Sequence, residues 1–342
     1  MTLTSLLHSR HQTLTTAQIM QLVLVACLPG IVAFVLFFGP GVLINIGWLV
    51  LCALCLEACV LKIRQKKIAS HLGDYSAVVT ALLLALSIPP AAPWWLGLVG
   101  IFFAIVIAKQ LYGGLGYNPF NPAMVGYAVL LISFPVEMTS WLLPAGAIET
   151  SAGFGDLFAR FMGSSPDAMD AYVGATALDL FKLDRGGLTV AEYWQDNALF
   201  GSLSGAGWEW VNAGFLAGGL YMLYRRIITW HIPVTVLGAM TLLSLIFYGG
   251  GSSASLGSPF MHLFGGAAML GAFFIATDPV SGPATNVAKL YYGALIGTLV
   301  YSIRVWGSYP DGVAFAVLLA NFTAPAMDHL VRMSRAGKNH VK

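Results

Sequence analysis

Long apolar runs separated by short polar connections dominate this chain. A membrane-spanning helix needs roughly 20 mainly apolar residues, and ten runs come close to that length. They cover residues 18–39, 42–61, 76–90, 94–111, 122–143, 210–224, 232–248, 260–277, 289–306 and 311–328. The pattern predicts an all-α integral membrane protein with about ten transmembrane helices. The third and sixth runs are short, which is typical of half-helices or of helices buried in protein.

Composition supports the membrane assignment. The chain has 342 residues, of which 58% are hydrophobic and 9% are charged, and its mean hydropathy is +0.77. A soluble domain carries about 25% charged residues, so lipid must cover much of this surface. The net charge of +2 indicates no nucleic-acid partner. The polar N-terminus lacks the pattern of a cleaved signal peptide, so we expect the first run to be retained.

Basic residues predict the orientation of the spans. With a cytoplasmic N-terminus, thirteen of the seventeen Lys and Arg residues fall on the cytoplasmic side. Both termini are then cytoplasmic, and the long polar loop 144–209 lies outside the membrane. Glu57, Glu137 and Arg304 lie toward span ends, where we expect their charged groups to snorkel to water.

The two halves resemble each other weakly. YAVLL at 127–131 matches FAVLL at 315–319, and Pro122 matches Pro310 at the same offset. Upstream, 76–90 resembles 265–279, and both segments end at proline. A repeat unit of five spans is odd-numbered, so the second copy must insert in the opposite direction. We therefore expect a five-span repeat at 1–143, an external loop at 144–209 and an inverted five-span repeat at 210–342.

The external loop is acidic and contains one threonine in a run of small residues. Nine acidic residues stand against three basic ones, a net charge of −6. The stretch DAYVGATALDLFK places Gly174 and Ala175 before Thr176, and Leu178 two residues after it. No histidine lies between His71 and His231, so a Ser–His–Asp type of activation is not indicated. Spacing alone favours a helix N-cap or turn threonine, and any modification would require an external enzyme.

Two turns contain polar residues that could form a site. Asn118 and Asn121 lie in KQLYGGLGYNPFNP, and Asp278 and Asn286 lie at the ends of DPVSGPATN. Each turn is either a tight cytoplasmic connector or a niche for an ion or for the polar edge of a ring.

The cysteines and histidines indicate no metal site. Cys27, Cys52, Cys55 and Cys59 all lie in apolar runs and are expected to be packing thiols. Iron–sulfur ligation usually takes four cysteines separated by turns. His231 and His262 are expected at the membrane interface.

Several stretches together resemble one family over nearly the whole chain. They include VGAT at 173–176, AKQLYGGLGYNPFNPAMVGY at 108–127, TDPVSGPATN at 277–286 and YPDGVAFAVLLAN at 309–321. The chain is similar to the D subunit of the Rnf (Rsx) electron transport complex and to the related B subunit of the sodium-pumping NADH:quinone reductase. That family usually has Ser or Thr at the position of Val173.

The resemblance implies a cofactor, partners and a location. FMN would be joined through a phosphoester to Thr176 by a separate flavin transferase that uses FAD, and a second flavin would be riboflavin bound without a covalent bond. Partners would be the iron–sulfur and flavin subunits of an Rnf-type complex linking ferredoxin to NAD. The fold would be urea-transporter-like, in a bacterial inner membrane with the loop in the periplasm. No catalytic activity is expected of the chain alone, and it has no strand–GxGxxG–helix unit for NAD.

Two alternatives remain open at this point. The inverted repeat would also suit a small-solute channel or secondary transporter, although such a protein does not need a large acidic external loop. The chain could instead be a structural anchor for redox partners.

Overall fold

A computed structural model describes residues 14–147, 152–164, 171–183, 188–309 and 311–339. Within them helices dominate, and the strands named below have two residues each. Some residues that enter the charge counts or the repeat above lie outside the described ranges. They are Glu149, Asp167, Asp170, Asp184 and Arg185 of the loop, Arg10 and Lys342 near the termini, and Pro310 of the repeat. The prediction of an all-α membrane protein is confirmed in its class.

Seven helices lie in the part of the first half that the structure describes, residues 14–143. They are α1 (Thr16–Phe38), α2 (Gly41–Ile63), α3 (Ile68–Leu72), α4 (Ser76–Ser87), α5 (Trp94–Phe102, continued by a π-helical segment, Phe103–Gln110), α6 (Pro122–Ser133) and α7 (Pro135–Thr139). The loop follows with β1 (Trp141–Leu142), α8 (Phe154–Phe161), β2 (Val173–Gly174), α9 (Ala177–Leu183) and α10 (Val190–Asp196).

The described residues of the second half form six helices. They are α11 (Trp208–Tyr224), α12 (His231–Ile246), α13 (Pro259–Phe264), α14 (Ala268–Leu270, continued by a π-helical turn, Gly271–Ile275), α15 (Asn286–Trp306) and α16 (Val313–Asn339). A short 3₁₀ turn, Gly249–Gly251, lies between α12 and α13.

The boundaries of α1 follow from local chemistry. Thr15 is the N-cap, and its side chain and that of Gln18 each accept a hydrogen bond from the other residue's backbone N–H. This capping box satisfies two backbone donors that the first turn leaves free. The helix ends at Gly39, whose φ of +79° is a conformation that residues with a β-carbon rarely adopt.

Among the residues that the structure describes, three helices are long and apolar enough to cross a membrane by length and composition: Thr16–Phe38, Gly41–Ile63 and Val313–Ser334. Other predicted spans are shorter or interrupted. The prediction of a continuous span at 122–143 is wrong, because α6 ends at Ser133, before Pro135, and Trp141 begins a strand. The span predicted at 260–277 is broken between α13 and α14. Such breaks are tolerated at membrane depth where protein surrounds the backbone.

The two halves contact each other through equivalent members of the predicted repeat. Helix α1 packs along α11, and α6 packs against α16. The approach of α1 to α11 is a backbone contact, because a β-carbon at Gly218 would overlap the carbonyl of Ala26. Small residues at helix interfaces allow this distance. Residues of both halves belong to one continuous apolar core.

The prediction that Glu57 and Arg304 snorkel to water is wrong. Glu57 is 1% exposed and forms an ion pair of 2.7 Å with Lys109, which is 2% exposed. Arg304 is also buried. Inward-facing charges can be retained when the protein supplies counter-charges and hydrogen-bond partners. Glu137 is half-buried.

The interfacial placement expected of His262 is also wrong. Its imidazole is 3% exposed, and Nε2 lies 2.9 Å from the carbonyl oxygen of Leu256. The turn after α12, through Leu256, and the ring of Tyr301 on α15 contact the imidazole within the protein, which the position of His262 at a span end does not reveal.

Candidate functional site

A short strand pair attaches the segment before Thr176 to the end of the first half. Trp141 pairs with Gly174 and Leu142 with Val173 in antiparallel register. The backbone N–H of Leu143 extends the ladder by donating to the carbonyl oxygen of Tyr172 at 2.9 Å. These bonds fix the backbone just before the threonine.

Thr176 directly precedes α9, in the N-cap position of that helix. Its carbonyl accepts from the N–H of Leu180 at 3.0 Å, and its Oγ1 accepts from the N–H of Asp179 at 3.3 Å. In return, Oδ2 of Asp179 accepts from the N–H of Thr176 at 2.9 Å and from its hydroxyl at 2.6 Å. This is the reciprocal arrangement of a capping box, so the N-cap role that spacing favours is present.

Asp179 is a buried carboxylate beside that hydroxyl. It is 8% exposed, and burial raises its pKa because a carboxylate is poorly solvated there. The negative charge of Asp311 raises the pKa further, whereas the hydrogen bonds from Thr176 and the charge of Lys182 oppose the shift. The net direction is upward.

A cavity of about 90 Å³, here called the outer cavity, opens at Thr176. Residues of both halves and of the loop line it. Its walls include Tyr127, Trp141 and Trp208, and Thr176 and Leu178 contribute from the loop. The cavity is therefore aromatic and apolar on most sides, with the hydroxyl of Thr176 among its few polar groups.

Asp311 supplies a second carboxylate to the outer cavity. It accepts from the N–H of Ala267 at 2.7 Å and forms an ion pair of 3.1 Å with Arg304. Arg304 also donates to the carbonyl oxygens of His262 at 2.6 Å and Gly265 at 3.1 Å. Arg304 therefore links the backbone at the break between α13 and α14 to Asp311. This link fixes Gly265 and Asp311, which both line the outer cavity.

The structure brings only part of the predicted loop site to the cavity. Thr176 and Leu178 line it, whereas Gly174 and Ala175 do not. Gly174 is half-buried in β2, and Ala175 is exposed. Leu178 also packs in a small apolar cluster that includes Phe181 of α9.

A second cavity of about 250 Å³, here called the inner cavity, lies between the two predicted turns. Asn118, Asn121 and Asp278 line it together, although they come from different halves. Asn286 does not line this cavity; it is an exposed residue at the start of α15.

Hydrogen bonds hold the polar groups of the inner cavity. Asn121 caps α6 through Met124 N–H at 3.2 Å, and its own N–H donates to Oδ1 of Asn321 at 3.0 Å. Asp278 accepts from the hydroxyl of Ser281 at 2.8 Å. The side chain of Asn118 donates to the carbonyl oxygen of Phe120 at 3.0 Å.

Lys109 reaches the inner cavity from the π-helical segment of α5. Its Nζ contacts Oε1 of Glu57 at 2.7 Å and donates to the hydroxyl of Ser76 at 2.7 Å. Gln110 also donates to Oε1 of Glu57, at 2.6 Å, while Oε2 is buried with no hydrogen-bond partner among the described residues. A buried cation therefore lies at the wall of a polar cavity.

Sequence reasoning missed Asp179, Asp311 and Lys109 as site residues. Asp179 could have been found, because Thr-x-x-Asp is a capping-box spacing that places the carboxylate at the threonine hydroxyl. Asp311 and Lys109 carried no comparable local signal. Their places depend on how distant helices pack.

The fold and the two cavities define a multi-pass all-α membrane protein with a capped threonine in its long polar loop. The family model described as NQR2, RnfD, RnfE matches residues 4–337. The chain therefore belongs to the NQR2, RnfD, RnfE family.

Known relatives agree with this assignment over nearly their full length. A Pseudomonas aeruginosa protein, named as the D subunit of an ion-translocating oxidoreductase complex, is 53% identical over 325 residues, covering 95% of this chain and 92% of the relative. Proteins of the same name from Yersinia pseudotuberculosis and Cellvibrio japonicus are 52% and 51% identical. The former covers 93% of both chains; the latter covers 92% of this chain and 89% of the relative.

Proposed function

We propose that this chain is the membrane flavoprotein subunit of an ion-translocating electron transport complex and that it carries FMN esterified to Thr176. The observation that carries the proposal is the placement of Thr176. Thr176, within VGAT, lines a cavity whose walls include aromatic side chains. The name of the relatives, the D subunit of an ion-translocating oxidoreductase complex, supports the same role.

The residues around Thr176 fit an attached flavin. Thr176 is partly exposed and Ala175 is exposed, so a modifying enzyme can approach the hydroxyl. Gly174 and Ala175 have little or no side chain to obstruct a bulky phosphoester. Tyr127, Trp141 and Trp208 offer flat surfaces suited to a ring system. The flavin would supply electron transfer, and the chain would fix its position so that donor and acceptor distances stay constant.

The inner cavity is a candidate place for a second flavin, riboflavin held without a covalent bond. Lys109, Asn118 and Asn121 provide donors along its wall, and Asp278 provides an acceptor. Phe273 and Phe274 line an apolar side. Asn286 is not part of this proposal, because it lies outside the cavity.

The proposed topology has two inverted five-span repeats with a urea-transporter-like fold. The contacts of α1 with α11 and of α6 with α16 support it, because they join equivalent elements. The basic residues favour cytoplasmic termini and a periplasmic loop in a bacterial inner membrane. Part of the ion path would then lie between the halves, near the two cavities, and a change in flavin charge would favour one arrangement of the halves.

Iron–sulfur and flavin subunits of an Rnf-type complex are the proposed partners. The resemblance to Rnf-type complexes implies that they would link ferredoxin to NAD. They would also bind the dinucleotide, because this chain lacks a dinucleotide-binding sequence of its own. A flavin transferase would act once, during maturation.

In-gel fluorescence tests the central proposal. The chain and its Thr176→Ala variant are expressed with a flavin transferase, denatured, separated and examined under ultraviolet light. Thr189→Ala is the matched control, because Thr189 forms the same capping box with Glu192 at 2.6 Å in the same loop. We expect fluorescent wild-type and Thr189→Ala bands and a dark Thr176→Ala band.

The same gel distinguishes the alternative function. A small-solute channel or secondary transporter of this fold needs no attached flavin. A dark wild-type band would favour that alternative, as would a tryptic peptide around Thr176 with the unmodified mass in native membranes.

A further inference from the structure

We propose that Asp179 is the base that takes the hydroxyl proton of Thr176 when the flavin is attached, an inference that rests on the proposed modification of Thr176. The carboxylate then belongs to the maturation chemistry as well as to the helix cap. The chain would therefore supply part of the machinery for its own modification.

The contact geometry places the carboxylate on the reacting atom. Oδ2 of Asp179 lies 2.6 Å from Oγ1 of Thr176, which is within the range required of a general base. The same oxygen accepts the N–H of Thr176 at 2.9 Å, so the carboxylate cannot rotate away without losing both bonds. Thr176 lines the outer cavity together with Asp179, where an attacking oxygen has room to meet a donor.

A second capping box in the same loop separates this role from ordinary capping. Thr189 and Glu192 make the same bonds, with the hydroxyl at 2.6 Å and the N–H at 2.9 Å. Glu192 is exposed, and the hydrogen bonds from Thr189 lower its pKa. Asp179 is buried and its pKa is raised. A carboxylate with a raised pKa is the stronger base, so only the Thr176 pair joins a cap to a useful proton acceptor.

Several charged and titratable groups face Asp179, but among the described residues none forms a direct ion pair with it. Lys182 lies on the same helix, but its Nζ donates to the carbonyl oxygens of Ile303 at 3.2 Å and Tyr309 at 2.8 Å. Asp311 faces Asp179 across the cavity, with its charge balanced by Arg304. The hydroxyl of Tyr127 interacts electrostatically with both carboxylates.

The chemical step balances with FAD as the donor. Oγ1 of Thr176 forms a bond to the phosphorus on the FMN side of the FAD pyrophosphate, and the bond from that phosphorus to the bridging oxygen breaks. AMP leaves with the bridging oxygen, and the hydroxyl proton passes to Asp179. No electron is transferred, so no oxidant or reductant is required.

The test measures initial rates of flavin attachment to the purified full-length chain in detergent, with a flavin transferase and FAD. We expect Asp179→Asn to be about 100-fold slower than wild type at neutral pH, in line with the usual contribution of a general base. Asp179→Glu keeps a carboxylate at a capping-box position and should stay within about tenfold of wild type. The matched control, Glu192→Gln, should change the rate less than about twofold.

A pH profile separates a base from a structural cap. The ratio of wild-type to Asp179→Asn rates cancels the ionisations of the transferase itself. That ratio should fall toward one as pH drops through the raised pKa of Asp179, because the protonated carboxyl can no longer accept the proton. A purely structural cap would give a ratio that stays flat or rises on acidification, because the raised pKa of Asp179 means that its protonated form does not weaken α9.

The outcomes are distinct from those of the proposed function. A dark wild type would remove both proposals. A fluorescent wild type with an Asp179→Asn rate within about threefold, or a rate ratio that stays flat or rises on acidification, would overturn only the role of Asp179. If Asp179→Asn does not fold, Asp179→Glu takes its place in the test. A folded Asp179→Glu variant without flavin fluorescence would overturn the inference. A fluorescent Asp179→Glu variant whose attachment rate falls at acidic pH, as that of the wild type does, would support it.

Discussion

The buried ion pair between Glu57 and Lys109 makes a quantitative prediction about stability. Both side chains are 2% exposed and their charged atoms are 2.7 Å apart. Coulomb's law with an effective dielectric constant near 20 gives about 6 kcal/mol at that distance, and the cost of desolvating both groups offsets much of it. Lys109→Met leaves the Glu57 carboxylate buried with Gln110 as its remaining partner. We expect a loss of about 3–5 kcal/mol in the free energy of unfolding.

The double variant Glu57→Leu/Lys109→Met tests the physical reason. It removes both charges, so no uncompensated ion stays buried, and we expect it to recover most of the lost stability, ending within about 2 kcal/mol of wild type. The matched control is Lys67→Met, at an exposed lysine between α2 and α3, which should cost less than about 0.5 kcal/mol.

Unfolding by sodium dodecyl sulfate from mixed micelles, followed by tryptophan fluorescence, measures these free energies. A Lys109→Met cost below about 1 kcal/mol would mean that water reaches Glu57 from the inner cavity. A double variant no more stable than Lys109→Met would show that lost packing, rather than an unpaired charge, sets the cost.

Three further predictions concern the packing and the loop. Gly218→Leu should weaken the α1–α11 contact and lower the unfolding free energy by at least about 3 kcal/mol, because a side chain there meets the backbone of α1. The control is Gly238→Leu, where the added atoms have open space. Equal losses of unfolding free energy in the two variants would contradict the reasoning. Asn321→Ala should cost about 1–3 kcal/mol in the same assay, because it leaves buried partners such as the N–H of Asn121 unsatisfied; an unchanged midpoint would contradict it. On acidification, hydrogen-exchange protection should rise in α9, because a raised pKa gives Asp179 stability that is present at low pH and lost as pH rises through the folded value. Protection should fall in α10, because the lowered pKa of Glu192 gives stability that is lost as pH falls through it. A change of the same sign in both helices would refute one of the two predictions, and reversed signs in both would refute both.

Hydrophobic run length and local capping chemistry were readable from the order of residues. The ten apolar runs predicted an all-α membrane protein, because a helix is the local way to satisfy backbone groups away from water. The Thr176 N-cap was equally local, since its partner Asp179 is three residues away. The flavin at Thr176 came from resemblance to a family and remains a proposal.

Tertiary packing decided the places of the buried charges and the two cavities. Lys109 meets Glu57 across 52 positions, and Asn121 meets Asn321 across 200, so no window along the chain contains both partners. Their positions toward span ends predicted that Glu57 and Arg304 reach water, because the nearest polar surroundings of a span end were taken to be the membrane surface. The sequence by itself determined which segments could enter a membrane and which threonine could be capped. Only the packing of the two halves decided which polar groups share a cavity, because that depends on contacts between segments far apart in the chain.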